Sequence, residues 1–205
     1  MRFDPKPVKL DGRFVQLEPL APRHAAGLLA AAADPTIWTY LPIPQLETLA
    51  EAKKYVADAL RGQKSGLEVA FATVRRSDKR VVGSTRYLDI RRPHRALEIG
   101  WTWLAADAQR TAVNTEAKYL MLRHAFEVHG AVRVQLKTDE RNERSRRAIL
   151  GLGAVFEGVL RCYQTRAHDE YVRNTAMYSV TQREWPDVKA RLEAKLLRQD
   201  VGRGR

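Results

Sequence analysis

The spacing of apolar and polar residues predicts alternating strands and helices along the whole chain. Alternation with a period of two predicts a strand over 14–18, which Pro19 and Pro22 end. The alanine- and leucine-rich run 24–34 predicts a helix that Pro35 ends, and 48–61 predicts a second helix. Between them, residues 36–44 contain two prolines and predict an irregular loop.

The pattern then changes to three β-rich segments, 68–75, 81–89 and 96–104, which predict an antiparallel meander. The remaining predicted elements are a helix over 115–129, a strand over 131–138, a helix over 143–152, a hairpin of 155–164 with 172–180, and a helix over 182–198. This order predicts a single α+β domain over 10–198, with flexible tails at 1–9 and 199–205.

Composition narrows the class of protein. The chain has 205 residues, of which 44% are hydrophobic and 29% charged, which excludes disordered and collagen-like chains. The one cysteine, Cys162, cannot form an internal disulfide, so a reducing, cytoplasmic location is expected. No apolar run approaches the roughly 20 residues that span a bilayer, so no membrane partner is expected.

The charge is the unusual property. Lysine and arginine number 36 and aspartate and glutamate 24, which gives a net charge of +12. Nucleic acid, an acidic surface or a polyphosphate ligand would each suit such a charge. The arginines are spread along the chain with acidic residues among them, so the charge alone does not choose between these partners.

The junction between the predicted strand ending at Leu104 and the helix beginning at about Thr115 carries the chemistry. A strand, loop and helix in this order expose the unpaired N–H groups and the positive dipole of the first helical turn, which together suit an anion such as phosphate. The loop matches neither a Walker A motif nor a G-x-G-x-x-G motif.

The loop Gln109-Arg-Thr-Ala-Val-Asn114 resembles the Gln/Arg-x-x-Gly-x-Gly/Ala pyrophosphate loop of the GNAT acyltransferase superfamily, with Ala112 and Asn114 in place of the small residues. The flanking Glu98-Ile-Gly-Trp-Thr-Trp-Leu and the segment beginning at Asn142 resemble the branch of ribosomal-protein-alanine N-acetyltransferases (RimJ/RimL-like). The resemblance implies a mixed, mostly antiparallel sheet of about seven strands flanked by helices. It also implies that strands 4 and 5 are parallel and splay apart, with acetyl-CoA between them as co-substrate.

The resemblance further implies roles for individual residues. The residues implied to hold acetyl-CoA are Trp101, Thr102, Trp103 and Leu104 along the pantetheine, Gln109, Arg110, Thr111, Ala112, Val113, Asn114 and Thr115 around the pyrophosphate, and Asn142 and Arg147. Glu98 is implied as a base acting through water, and Ser145 as a proton donor to the departing thiolate. Glu98 could equally be held in an ion pair, and Asn142 is also a good helix cap.

The acceptor side has weaker signals. Aromatic and basic residues on the proline-rich loop, the third strand and the closing hairpin are candidate walls of an amine pocket, namely Trp38, Tyr40, Arg86, Tyr87 and Tyr163. Few acidic residues besides Glu98, Asp89 and Glu47 fall near this site, which disfavours a strongly polycationic acceptor. The histidines and the cysteine lack metal-ligand spacing, so no metal is expected.

Several functions remain open from the sequence. The leading prediction is an acetyl-CoA-dependent N-acetyltransferase that acts on a protein N-terminus or a small-molecule amine by direct attack in a ternary complex. The alternatives are a catalytically weak acyl-CoA-binding protein and a basic RNA- or ribosome-binding module on the same fold. A homodimer is also possible.

Overall fold

The computed structural model describes residues 3–201, with no side chain described for residues 200 and 201. The strands are β1 (Leu10–Asp11), β2 (Val15–Pro19), β3 (Val69–Arg75), β4 (Val81–Arg91), β5 (Ala96–Leu104), β6 (Arg133–Asp139), β7 (Val155–Thr165) and β8 (Val172–Thr181). The α-helices are α1 (Ala25–Ala31), α2 (Leu49–Lys64), α3 (Ala112–Arg123), α4 (Glu143–Leu150) and α5 (Trp185–Val201).

The eight strands form one sheet in the order β1-β2-β3-β4-β5-β6-β8-β7. Neighbouring strands are antiparallel except β5 and β6, which are parallel. This confirms the predicted α+β class and the mixed, mostly antiparallel sheet. The count exceeds the prediction by β1, whose two residues pair with Gln16 and Leu17 and are too few to alternate visibly in the sequence. The parallel pair predicted as strands 4 and 5 is therefore β5 and β6.

Helices cover both faces of the sheet. On one face, Tyr55 of α2 accepts a hydrogen bond from the Trp103 indole at 3.2 Å, and Trp38 packs on the same indole with ring centroids 5.1 Å apart. On the other face, the hydroxyl of Tyr87 donates to the carbonyl of Met121 in α3 at 2.6 Å. Because side chains alternate along a strand, the α2 face of β4 and β5 carries Arg86 and Glu98, which bring charge to an otherwise apolar core.

The ends of the chain differ from the expected tails. Phe3 is buried and packs edge-on against His129, and Asp4 forms an ion pair with Arg92 at 3.0 Å. At the other end, α5 continues to Val201. Residues 1, 2 and 202–205 of the predicted tails lie outside the described part of the chain.

Candidate active site

A gap opens in the middle of the sheet between β5 and β6. These strands pair only through Ala96–Arg133, Leu97–Val134 and Glu98–Gln135. Beyond that point β5 continues to Leu104 and β6 to Asp139 with no pairing between them. Their facing backbone N–H and C=O groups are therefore open to a ligand, which would pair with them as an additional strand does.

A bulge on β5 marks the level at which the gap opens. The register with β4 shifts between Ser84–Trp103 and Arg86–Gly100, so β5 has an extra residue there. Trp101 lies in this bulge with a φ of 49°, in the left-handed region that residues other than glycine rarely adopt. A bulge turns the edge of a strand, which separates the end of β5 from β6.

The loop that follows β5 leads into the first turn of α3. Arg110 has a φ of 58°, and the backbone N–H groups of Arg110, Thr111 and Ala112 have no acceptor among the described residues. The N–H of Val113 is already used, since it donates to the Thr111 hydroxyl at 3.2 Å. A left-handed residue next to a helix start groups free N–H donors in a concave anion site. This loop fits a pyrophosphate.

The structure corrects the predicted start of α3. The helix begins at Ala112 with Thr111 as its N-cap, so Thr115 lies buried one turn inside the helix and not at its start. Thr111 is preferred as the boundary because its side-chain oxygen accepts an otherwise unpaired N–H. Position 112 does not require the glycine of the family motif, because the residue with a positive φ is Arg110. The Ala112 side chain is 4% exposed and packs into the core.

A second helix start faces the same gap. Asn142 caps α4 by accepting a hydrogen bond from the Ser145 N–H at 3.0 Å, which is the capping role that the sequence left open. The Ser145 hydroxyl is half-buried and has no partner among the described residues. Gln109 connects the two helix starts, since its side chain donates to the Leu104 carbonyl at 2.9 Å and accepts from Arg144 at 2.8 Å.

Arg147 lies apart from these groups. Its side chain is largely exposed and lies 3.5 Å from Glu143, one helical turn away. Such an exposed pair contributes little to stability, so Arg147 is free to turn toward a phosphate.

Glu98 is buried on the α2 face where β5 and β6 separate. Its Oε2 lies 2.9 Å from Lys137 Nζ and accepts a hydrogen bond from the Gln135 amide at 3.2 Å. Glu98 is therefore in the ion pair that the sequence also allowed. This pair lies at the inner end of the gap, which leaves the carboxylate close to any group that occupies it.

Polar side chains continue from Glu98 along the same face. Asp139 on β6 is buried opposite Thr175 on β8, and Arg173 lies two residues before Thr175 on the same face of β8. Sequence analysis missed these residues and Lys137. The sequence did contain a sign of them: Gln135, Lys137 and Asp139 alternate along a central strand, where residues that only pack the core would be apolar.

The predicted acceptor residues are placed differently from one another. Tyr163 lies beside Lys137, whose ammonium is 5.2 Å from the ring centroid. Tyr40 is half-buried, and the neighbouring Thr39 carbonyl accepts a hydrogen bond from Arg166 at 2.6 Å, which links the 36–44 loop to the β7–β8 hairpin.

The other predicted acceptor residues are held in the interior. Arg86 is paired with Glu68 at 2.9 Å, and its guanidinium lies between the rings of Tyr55 and Trp101 at 4.8 and 4.4 Å. Trp38 is buried against Trp103, and Tyr87 is fully buried on the α3 face. Packing in the interior accounts for both of these rings, and neither is a candidate to contact the acceptor.

The described residues offer neither a metal site nor a membrane span. Within residues 3–201, no group of three or more His, Cys, Asp and Glu side chains is placed to hold a metal ion. No helix in the described part of the chain is long and apolar enough to cross a bilayer.

Comparisons with known proteins agree with this geometry. The family model described as an acetyltransferase (GNAT) domain matches residues 15–155. The uncharacterized N-acetyltransferase YoaA of Bacillus subtilis strain 168 is 24% identical over 166 residues, which cover 80% of this chain and 91% of that protein.

Solved structures show the same relationship. A GCN5-related N-acetyltransferase from Brucella melitensis has a TM-score of 0.89 at 30% identity, covering 95% of this chain and 88% of that one. Mycobacterium smegmatis RimJ in complex with CoA-disulfide has the same fold, with a TM-score of 0.78 at 20% identity over 94% of this chain and 95% of that one. Because the family model spans most of the chain and the Brucella protein is similar over nearly all of it, this chain belongs to the GNAT acetyltransferase family and is an acyltransferase.

Proposed function

We propose that the chain is an acetyl-CoA-dependent N-acetyltransferase that transfers the acetyl group to a primary amine by direct attack within a ternary complex. The observation that supports this most directly is the gap between β5 and β6, which ends at the unpartnered N–H groups of Arg110, Thr111 and Ala112. An open strand edge suits the amides of pantetheine, and the loop suits the pyrophosphate. Acetyl-CoA, when bound, supplies a thioester that a neutral amine attacks, so that a C–N bond replaces the C–S bond.

The residues that would hold acetyl-CoA follow from this arrangement. Trp101, Thr102, Trp103 and Leu104 would present backbone groups to the pantetheine, and the loop from Gln109 to Asn114 would hold the pyrophosphate. Thr115 is buried, so it would act only as part of α3. Asn142 would position α4 beside the pantetheine arm, and Arg147 would reach the phosphates from the surface.

Two side chains would move protons. Glu98 would take the surplus proton of the amine through a water molecule. Ser145, whose hydroxyl has no partner among the described residues, would give a proton to the departing sulfur and regain one from solvent. Glu98 would act from β5 and Ser145 from the first turn of α4.

Substituting these side chains tests the roles. Ser145→Ala and Glu98→Gln are each expected to lower kcat by about 100-fold or more, which is the usual contribution of a general acid–base group, with the KM for acetyl-CoA little changed. Ser145→Thr keeps the hydroxyl and is the matched control, expected to retain most of the activity. An unchanged kcat in Ser145→Ala would remove Ser145 from the mechanism.

The net charge of +12 is the reason to add a second candidate function, binding of RNA or the ribosome by a basic surface of the same acyltransferase. Binding to nucleic acid through lysine and arginine weakens steeply as salt rises. These candidates differ in what they bind and release, so one set of measurements separates them.

The deciding experiment is calorimetric titration with acetyl-CoA, followed by a thiol-release assay over peptide N-termini, amino acids, polyamines and aminoglycosides. Micromolar binding of acetyl-CoA and amine-dependent thiol release are expected.

Arg110→Pro should weaken acetyl-CoA binding about 10-fold or more, because proline cannot adopt the positive φ and lacks the N–H. Arg110→Gly keeps both the N–H and the positive φ and is the matched control. Binding of acetyl-CoA without thiol release for any amine would contradict the proposed reaction, and salt-sensitive RNA binding would support the second candidate function.

A second copy of the chain is the protein partner that we propose. Strand β7 is an edge strand with apolar side chains exposed on both faces, and its outer backbone groups are open to another strand.

A further inference from the structure

Three buried polar atoms at the end of β6 and β8 have no hydrogen-bond partner among the described residues. Arg173 is 6% exposed, and its Nε makes no hydrogen bond. The same holds for Asp139 Oδ2 and for the Thr175 hydroxyl, both fully or almost fully buried. Buried polar atoms almost always have a partner, so three orphans in one place call for an explanation.

These groups are neighbours on one surface. Asp139 and Thr175 face each other across the antiparallel pair of β6 and β8, where paired Cα atoms lie about 5 Å apart. Arg173 is two residues from Thr175 on the same face, a separation of about 7 Å along the strand. The three side chains therefore lie on one face of the sheet, at the end of β6 that is not paired with β5.

Arg173 is not held by an internal ion pair. No carboxylate oxygen of the described residues lies within 4.0 Å of its guanidinium, whereas Arg141 approaches Asp139 Oδ1 at 3.6 Å. Burial lowers the pKa of Arg173, and the charges of Asp139 and Glu98 act in the opposite direction. A guanidinium that is desolvated without a hydrogen bond is costly, and a bound anion would offset that cost.

The other charges of the site are already paired. Glu98 is held by Lys137 and Gln135, and one oxygen of Asp139 accepts the Arg141 backbone N–H at 2.9 Å. What remains is one guanidinium, one carboxylate oxygen and one hydroxyl. This set complements a ligand that carries a carboxylate together with an ammonium or amine, and it does not complement a polycation.

We propose that the amine acceptor is a free amino acid, with its carboxylate bound by Arg173 and its nitrogen directed toward Asp139 and Glu98. The inference rests on the proposed acetyltransferase function and specifies the acceptor of the same site. Arginine binds carboxylates through two parallel hydrogen bonds, which would fix the orientation of a small acceptor. Tyr163 and the loop carrying Tyr40 border the same face, so aromatic side chains would contact the rest of the acceptor.

The test compares each proteinogenic L-amino acid with its own carboxamide in the thiol-release assay with acetyl-CoA. The carboxamide has about the same size and replaces the negatively charged carboxylate with a neutral amide. At least one amino acid is expected to exceed its carboxamide in kcat/KM by about 10- to 100-fold, the value of a charge-assisted hydrogen bond. Arg173→Gln should remove this preference and leave the KM for acetyl-CoA unchanged, and Arg173→Lys should retain part of it.

Arg133→Gln is the matched control, because Arg133 lies on β6 and pairs with Glu157 outside the site. It should keep the preference for the acid. Carboxamides that react as well as the acids, thiol release only with amines that lack a carboxylate, or an unchanged preference in Arg173→Gln would each overturn the inference.

The wild-type comparison decides the matter even if Arg173→Gln does not fold. The proposed function fails separately, if acetyl-CoA does not bind or no amine of any class releases thiol.

Discussion

Lys118 is a single residue on α3 whose surroundings govern its charge. It is 5% exposed, donates a hydrogen bond to the Thr85 hydroxyl at 3.0 Å, and also contacts the Thr102 hydroxyl. No carboxylate of the described residues pairs with it, and burial lowers its pKa to about 7. In the unfolded chain a lysine has a pKa of about 10.4, so between these values the unfolded state binds more protons than the folded state.

The consequence is a pH-dependent stability that Lys118→Met removes. Because the folded pKa is depressed, the unfolding free energy of the wild type should rise with pH from about 7 to about 10, by at most about 1.4 kcal/mol per pH unit. Urea denaturation should show that the unfolding free energy of the wild type, relative to that of Lys118→Met, is about 1–2 kcal/mol larger at pH 9 than at pH 7.5. Lys53→Met, which removes an exposed lysine, controls for loss of charge. A gap between the two proteins that does not change with pH would show that the amine stays protonated in the fold.

At the scale of elements, α3 is fixed to the sheet by one carboxylate. Glu116 accepts hydrogen bonds from the backbone N–H groups of Arg13, Phe14 and Val15 at 2.8, 2.6 and 2.8 Å. These bonds join the start of β2 to the first half of α3. The helix start that would hold the pyrophosphate is therefore positioned by a strand more than 100 residues earlier in the chain.

The elements themselves could be predicted because their signals are local. The periodicity of residues in β3, β4 and β5 and the apolar stripe of α3 identified those elements and their order. The predicted start of α3 was wrong because the Thr111 cap, and not the apolar pattern, sets where the helix begins. Strand β1 was not predicted because two residues are too few to show a period.

The candidate site divides in the same way. The pyrophosphate loop is one continuous segment, so its motif is visible in the sequence. Arg173, Asp139 and Glu98 come from β8, β6 and β5, and only the pairing of these strands brings them together. No spacing along the chain encodes that proximity, and their isolated positions resemble ordinary strand residues.

At the scale of the whole molecule, β7 is the surface that a monomer would leave unprotected. It is the last strand of the sheet and almost every residue along it is exposed. The large apolar side chains exposed on or beside this edge are Leu150, Val155, Phe156, Val159, Leu160, Tyr163 and Val172. A long apolar edge strand invites pairing with another strand, and this edge lacks the proline that commonly blocks it.

Two copies of the chain are therefore expected to associate through β7. Leu160, 43% exposed near the middle of the strand, would lie within the contact, so Leu160→Lys should convert a dimer to a monomer in light scattering coupled to size exclusion. Leu67 is 66% exposed but lies far from β7 in the sheet order, beside β3, so Leu67→Lys should leave the mass unchanged. A wild-type protein that remains monomeric at micromolar concentration would contradict the association. Tyr163 lies on the same strand and beside Lys137, so pairing of two β7 strands should also affect the acceptor site. Leu160→Lys should therefore change the KM for the amine more than the KM for acetyl-CoA.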